Sequence, residues 1–272
     1  TLEFQNLRKD VFDGGSDPFD VVVRIQNNGE ALVKKEDVRI KLSGVNPTEF
    51  AQTDAQLSKT APDDIIEIRK DAQGTVLQSP PTFVEFIGFN HKEKLQGATA
   101  QFTIRAEECY VYKTRAVSKL CVREDLLKPS PNGICELNED KTLFNSGAPV
   151  QFTNFKESTR AKDKVGFTVD VTNAGSGLIF DKVSWCDRIE RKNQDKVYVT
   201  ITTGLSGLQC TGLDSIASGA QGYVTLYGGS KTISCTQSIS TKSDFEQLIN
   251  MEAVYDYEQT IQDTIAVKNS GQ

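Results

Sequence analysis

An all-β chain built as two tandem β-sandwich domains is predicted by three observations. Apolar and polar residues alternate with period two along most of the chain, in segments rich in Val, Ile, Thr, Tyr and Phe. Polar turns separate these segments, and no stretch carries the apolar stripe of a long amphipathic helix. The chain also repeats itself. Val23-Arg24-Ile25-Gln26-Asn27-Asn28-Gly29 returns as Val169-Asp170-Val171-Thr172-Asn173-Ala174-Gly175, an offset of 146 residues. Cys109-Tyr110-Val111-Tyr112 returns as Val254-Tyr255-Asp256-Tyr257, an offset of 145. Two matches far apart in the chain keep their register within one residue, which marks tandem copies of one unit. About seven strands per copy, without crossover helices, is the pattern of an immunoglobulin-like sandwich rather than a parallel sheet.

In the first copy the alternation predicts strands at 19–26, 37–42, 65–69, 83–89, 98–104 and 108–114. In the second it predicts strands at 150–155, 165–172, 197–202, 222–227, 231–235, 247–257 and 262–267. Asn-Asn-Gly and Asn-Ala-Gly end a strand in each copy because Asn and Gly tolerate positive φ. Short helices are placed at 48–59 and 243–249. The Pro-rich stretch Leu126-Leu127-Lys128-Pro129-Ser130-Pro131-Asn132-Gly133 cannot continue a ladder. The expected organisation is therefore domain 1–126, linker 127–148 and domain 149–272.

The six cysteines lack the Cys-x-x-Cys spacing of a zinc site, and the sole histidine, His91, has no cysteine near it. Disulfides in an oxidising compartment fit better than buried thiols. Cys109 and Cys121 lie symmetrically about Arg115, so a hairpin turning there sets them opposite each other, and Val254 and Ala266 repeat the spacing. The other four allow three connectivities. The favoured one joins Cys210 to Cys235 within one strand-loop-strand segment, leaving Cys135 of the linker for Cys186.

The net charge of −6 gives no phosphate-binding surface, which excludes nucleic acid as the expected partner. No apolar run is long enough to span a membrane, and no signal peptide is visible, as in a processed or trimmed chain. His91 lies in a polar turn after a strand and reads as an exposed turn residue. No Gly-x-Ser-x-Gly elbow and no phosphate-cradling loop occurs, so no catalytic residue and no cofactor is assigned. The metal candidate is the acidic loop with Asp10, Asp13, Asp17 and Asp20, whose carboxylates suit calcium although the loop lacks a closing Glu. A solvated loop is the plainer reading. The β-rich segment Thr1-Leu2-Glu3-Phe4-Gln5-Asn6-Leu7, with Leu2, Phe4 and Asn6, is the candidate for pairing in trans.

The segments Val21–Gly29 and Phe167–Gly175 resemble adhesion-related Ig-like domains of bacterial and archaeal surface proteins. The stretch from Gly147-Ala148-Pro149 to Phe180-Asp181, with the segment from Cys109 to Val122, is similar to uncharacterised tethered surface proteins of small-genome archaea. The resemblance covers about half of the chain and implies location and architecture, with no catalytic residue to transfer. Together these readings lead us to expect a non-enzymatic extracellular structural protein of the cell surface or of a pilus-like filament, its partners itself or neighbouring surface proteins. The alternative is a surface-anchored adhesin or ligand-binding ectodomain.

Overall fold

The computed structural model describes residues 1–128 and 133–271, so Pro129 and Pro131 of the expected linker lie outside the described residues. The protein is all-β, with several antiparallel sheets. It divides into two compact units: Thr1–Val111 with Tyr257–Gln272, and Tyr112–Asp256. The division differs from the expected segments. The described residues of the expected linker belong to the second unit, and the last residues of the chain belong to the first. The cause is that the chain passes between units within strands rather than in a linker.

The first unit contains β1 (Leu2–Phe4), β2 (Asp10–Phe12), β3 (Phe19–Ile25), β4 (Val38–Ser43), β5 (Ser58–Thr60), β6 (Arg69–Lys70), β7 (Val76–Leu77), β8 (Thr82–Phe89) and the start of β9 (Thr99–Val122). One sheet runs β1-β3-β8, with Phe4 opposite Val23 and Val23 opposite Val84. A second sets β4 between β5 and β9. The alternation does what it predicts: Val21, Val23 and Ile25 of β3, Ile40 and Leu42 of β4, and Val84 and Phe86 of β8 are buried. Each such side chain contributes about 1.5–3 kcal/mol by leaving water. The expected strand at 65–69 shrinks to the β6–β7 hairpin, with Ile65 making an isolated bridge to Val33. The expected helix at 48–59 is a run of turns, interrupted by Ala51 at φ 59°.

The second unit takes up the rest of β9, then β10 (Phe144–Asn145), β11 (Val150–Ala161), β12 (Lys164–Asn173), β13 (Leu178–Phe180), β14 (Lys196–Thr202), β15 (Leu208–Thr211), β16 (Asp214–Ser218), β17 (Gln221–Thr225), β18 (Ser230–Ser238) and the first part of β19 (Phe245–Lys268). One sheet runs β11-β12-β18-β15 and another contains β16-β17-β14-β19. Phe155 stacks on Phe167 at 5.2 Å in its core. The expected helix at 243–249 is strand, its residues continuing the alternation into Ile249, Met251 and Ala253. The end of β19 returns to the first unit, where Val267 pairs in parallel with Val11 of β2.

The two Asn-x-Gly turns are built alike. In the first unit Asn27 accepts the Gly29 amide at 2.9 Å and donates to Ala31 O at 2.7 Å. In the second Asn173 accepts the Gly175 amide at 3.1 Å and donates to Gly177 O at 3.1 Å. The hairpin expected about Arg115 does not form, because β9 continues through it. The even-numbered residues Ile104, Ala106, Tyr112, Thr114, Ala116, Ser118, Leu120 and Val122 stay buried in one unbroken register. No Gly, Pro, Asn or Asp interrupts β9 to supply a turn.

The disulfides follow from that strand. Cys121 is bonded to Cys135, Cα atoms 5.5 Å apart, which corrects the expected pairings Cys109–Cys121 and Cys135–Cys186. Cys109 and Cys121 lie on the same extended strand, where successive residues move apart and cannot bond. Cys210 is bonded to Cys235, the pairing favoured from the sequence, because the two face each other on β15 and β18. Cys210 donates its amide to Gly219 O, away from β18, so the two Cα atoms close to 4.0 Å. Cys109 and Cys186 are also disulfide-bonded, and no cysteine is free.

Candidate functional site

The two Asn-x-Gly turns lead to connections of unequal length. The connection from Asn27 to β4 and the one from Asn173 to β14 begin alike, but the second is longer. The surplus is a loop, residues 181–195, which holds the sole tryptophan, Trp185. Extra residues on a shared scaffold are where binding function tends to concentrate, because a loop can change without disturbing the sheets beneath it.

The loop closes on itself. Phe180 bridges Gln194, Asp181 N donates to Asn193 O at 2.7 Å, and Asp195 N donates to Ile179 O at 2.8 Å. Inside, Asp187 accepts the Ile189 amide at 2.9 Å and the Asn193 side-chain amide at 3.3 Å. Gln194 reaches across to donate to Arg188 O at 2.8 Å. Such a compact loop with adjoining ends is an Ω-loop in form.

Its backbone is strained. Val183, Trp185, Cys186 and Asp195 have φ of 68°, 56°, 54° and 59°, in the left-handed region. A β-branched residue such as Val183 is rare there, and each such residue costs on the order of 1–3 kcal/mol. Asp256 of β19 offsets the strain. Its fully buried carboxylate accepts the amide of Val183 at 2.9 Å and that of Trp185 at 2.6 Å, and also the amide of Cys186. Burial raises the Asp256 carboxyl above its ordinary range and outweighs those amides, which pull it down. Both oxygens are engaged, so Asp256 acts as a clamp rather than a base.

Beside the clamp, the rings of Tyr198 and Tyr223 meet edge to face at 5.0 Å, and the Lys182 ammonium sits 3.6 Å from the centre of the Tyr198 ring. Burial, then the hydrogen bond and charge of Asp181, pushes the Tyr223 hydroxyl up to about 12. The outer surface of the loop carries exposed apolar side chains and charges of both signs, with Glu190 paired to Lys192 at 3.4 Å. Ile189 is 92% exposed and Val183 67%, and Arg188, Arg191 and Lys192 are exposed around them. A loop closed on itself that presents a fully exposed isoleucine beside charged side chains is suited to insertion into a partner's surface.

The residues singled out in the sequence lie elsewhere and do not converge. Asp17 is held by both guanidinium nitrogens of Arg8 at 2.7 and 2.8 Å and by the Phe12 amide. Asp10 pairs with Lys268, and Asp20 accepts the Gly88 amide. Asp13 is buried, and the amides of Leu95 and Ser270 hold its carboxyl below the usual range. The four are thus spent on separate partners, and among the described residues no group of three or more acidic, His or Cys side chains could hold a metal. His91 is 1% exposed, not the exposed turn residue expected: it packs edge-on to Phe50 at 5.3 Å and meets Glu49 at 3.1 Å. Leu2 and Phe4 pair with Ile25 and Val23 of the same chain, and Asn6 follows at φ 50°.

Among the described residues, four buried acids, Glu108, Glu157, Asp256 and Glu258, escaped the sequence reading. Glu108 and Glu157 are each pushed up to about 7, in both cases first by burial. Asp256 and Glu258 lie together near the middle of β19. A signal was present for Asp256, since it lies between the apolar Tyr255 and Tyr257. Among the described residues no helix is long and apolar enough to cross a membrane. Comparison with known proteins adds no relative: no family model and no curated protein matches the chain.

Proposed function

We propose that the chain is a non-catalytic extracellular surface protein, in which disulfide-supported Ig-like sandwiches present residues 181–195 to a neighbouring surface protein. The observation that carries this reading is the loop itself, an insertion in one copy of the repeat that is strained, clamped by Asp256 and tipped by exposed Ile189. Full oxidation of the six cysteines supports an oxidising location. The resemblance to adhesion-related domains points the same way.

The test is a substitution at the tip alone. Purified wild type and Ile189→Asp are labelled and applied to unpermeabilised cells of the strain that makes the protein. Wild type should be retained and Ile189→Asp should wash away, with unchanged circular dichroism. Equal retention of both would refute the loop as the contact.

The filament subunit is the second reading. The segment Thr1 to Leu7 no longer carries it, since Leu2 and Phe4 pair within their own chain.

A further inference from the structure

The outer edge of β11 is covered by a piece of chain that is scarcely a strand. Lys141 N donates to Phe155 O at 2.9 Å and Glu157 N donates to Glu139 O at 3.0 Å. Beyond those two backbone bonds, side chains substitute for a ladder. Asn138 Oδ1 accepts the Thr159 amide at 2.8 Å, and Asn145 both accepts from Phe152 N and donates to Phe152 O at 2.9 Å. On its other side the same segment pairs Phe144 and Asn145 with Val117 and Ala116 of β9. It therefore stitches the edge of one sheet to a strand of the other.

What keeps this cover in place is a set of staples rather than a ladder. The Cys121–Cys135 disulfide fixes its start, and Arg123 donates to the Cys135 carbonyl. The Lys141 ammonium meets Glu157 at 3.2 Å and Glu139 at 2.5 Å, and Ser118 Oγ donates to Thr142 O at 2.8 Å. Of the apolar side chains of the region, Leu137 packs on the core cluster of Val122, Leu126, Val165 and Ile239, whereas Leu127, Ile134 and Phe144 are 66%, 68% and 69% exposed. An edge strand with incomplete cover is a template for pairing with another chain, and uncovered apolar side chains beside it favour such contact.

We propose that the β11 edge is a self-association surface for a second copy of this chain, and that the Cys121–Cys135 disulfide keeps the cover on its own chain. With the disulfide absent, the cover of each copy docks on β11 of the other. Such a reciprocal exchange is isologous and closes as a dimer. The occupant is a second copy because the cover already matches β11 at Asn138, Lys141 and Asn145, and an exchanged cover reproduces every one of those contacts. The inference is independent of the loop at 181–195.

The experiment uses the full chain with Cys121→Ser and Cys135→Ser together. Light scattering on the eluting peak should show twice the monomer mass, in a fraction that grows with concentration. Mixing two tag-labelled preparations of the variant should yield the mixed dimer, and amide exchange should show Glu157 and Thr159 still protected within it. A folded variant that stays monomeric over the same concentrations overturns the proposal, as does a dimer in which those amides are unprotected. Should the double variant fail to fold, Asn138→Ala with Asn145→Ala in the oxidised chain keeps the question open to decision. Its Phe152 and Thr159 amides should exchange faster while the disulfide holds the protein monomeric. Unchanged exchange there would overturn the proposal too.

Discussion

The Lys141 ammonium lies 3.2 Å from a carboxylate oxygen of Glu157, whose side chain is fully buried. The two partners respond in ways that look opposed. Lys141 is raised above its ordinary value because the carboxylates of Glu139 and Glu157 more than offset its own burial. Glu157 is also raised, to about 7, because its burial outweighs the pull of Lys141 and the Cys121 amide.

A pH dependence follows. The folded Glu157 holds its proton more tightly than the unfolded chain does, so it contributes stability that is full below pH 4.5 and lost as pH rises to about 7. Urea unfolding followed across that window should show the decline in wild type and a shallower one in Glu157→Gln. Identical slopes would mean that Glu157 ionises freely in the fold.

Removing one partner of the pair should cost more than removing both. Lys141→Met strands a buried carboxylate and should destabilise by about 3 kcal/mol, while Lys141→Met with Glu157→Leu should cost less. The denaturation midpoints of the two variants decide the matter. A double variant no more stable than the single would place the loss in packing.

Peptide mapping without reductant should recover Cys121 linked to Cys135 and Cys210 linked to Cys235, and no peptide joining Cys109 to Cys121. Replacing Cys210 and Cys235 by serine opens a loop of sequence separation 25 and should cost about 3.5 kcal/mol on chain-entropy grounds. A change within error would show that the β15–β18 pairing holds without the bond.

The paired turns offer an internal control. Asn27→Ala removes three side-chain bonds to the backbone, one of them a long one to Ile65 O, and Asn173→Ala removes two; each should cost about 1–2 kcal/mol. Similar losses measured by thermal unfolding would support equal roles in the two copies. A loss confined to one would break the correspondence.

Asp256→Ala should release the loop at 181–195, since the amides of Val183 and Trp185 lose their acceptor while the positive φ strain remains. The cost should be on the order of 3 kcal/mol. Trp185 is the sole tryptophan, so its emission reports the loop alone and should shift to the red. An unshifted spectrum would mean that the loop holds its shape without the clamp.

Local chemistry alone determined the β character of this protein. Alternating side chains choose the two faces of a strand wherever the strand finds its partners, so Val21, Val23 and Ile25 read as buried before any sheet is known. The Asn-x-Gly turns were equally legible, because an Asx turn is made within a few residues. So was Cys210 with Cys235. What only the tertiary structure decided is how far a strand runs and what it meets. Period-two alternation is the same in a hairpin as in one long strand, and only the lack of a turn former in 99–122 argued against bending at Arg115. Once β9 ran straight, Cys121 could not reach Cys109 and bonds Cys135 instead, and residues 138–145 became the edge cover of β11. The burial of Glu108, Glu157 and His91 was likewise hidden, since a polar residue in a strand or turn is solvated unless remote segments close over it. The loop at 181–195 was half visible. The longer connection after Asn173 could be counted, but the strain at Val183 and its relief by Asp256 depend on a carboxylate from the far end of the chain.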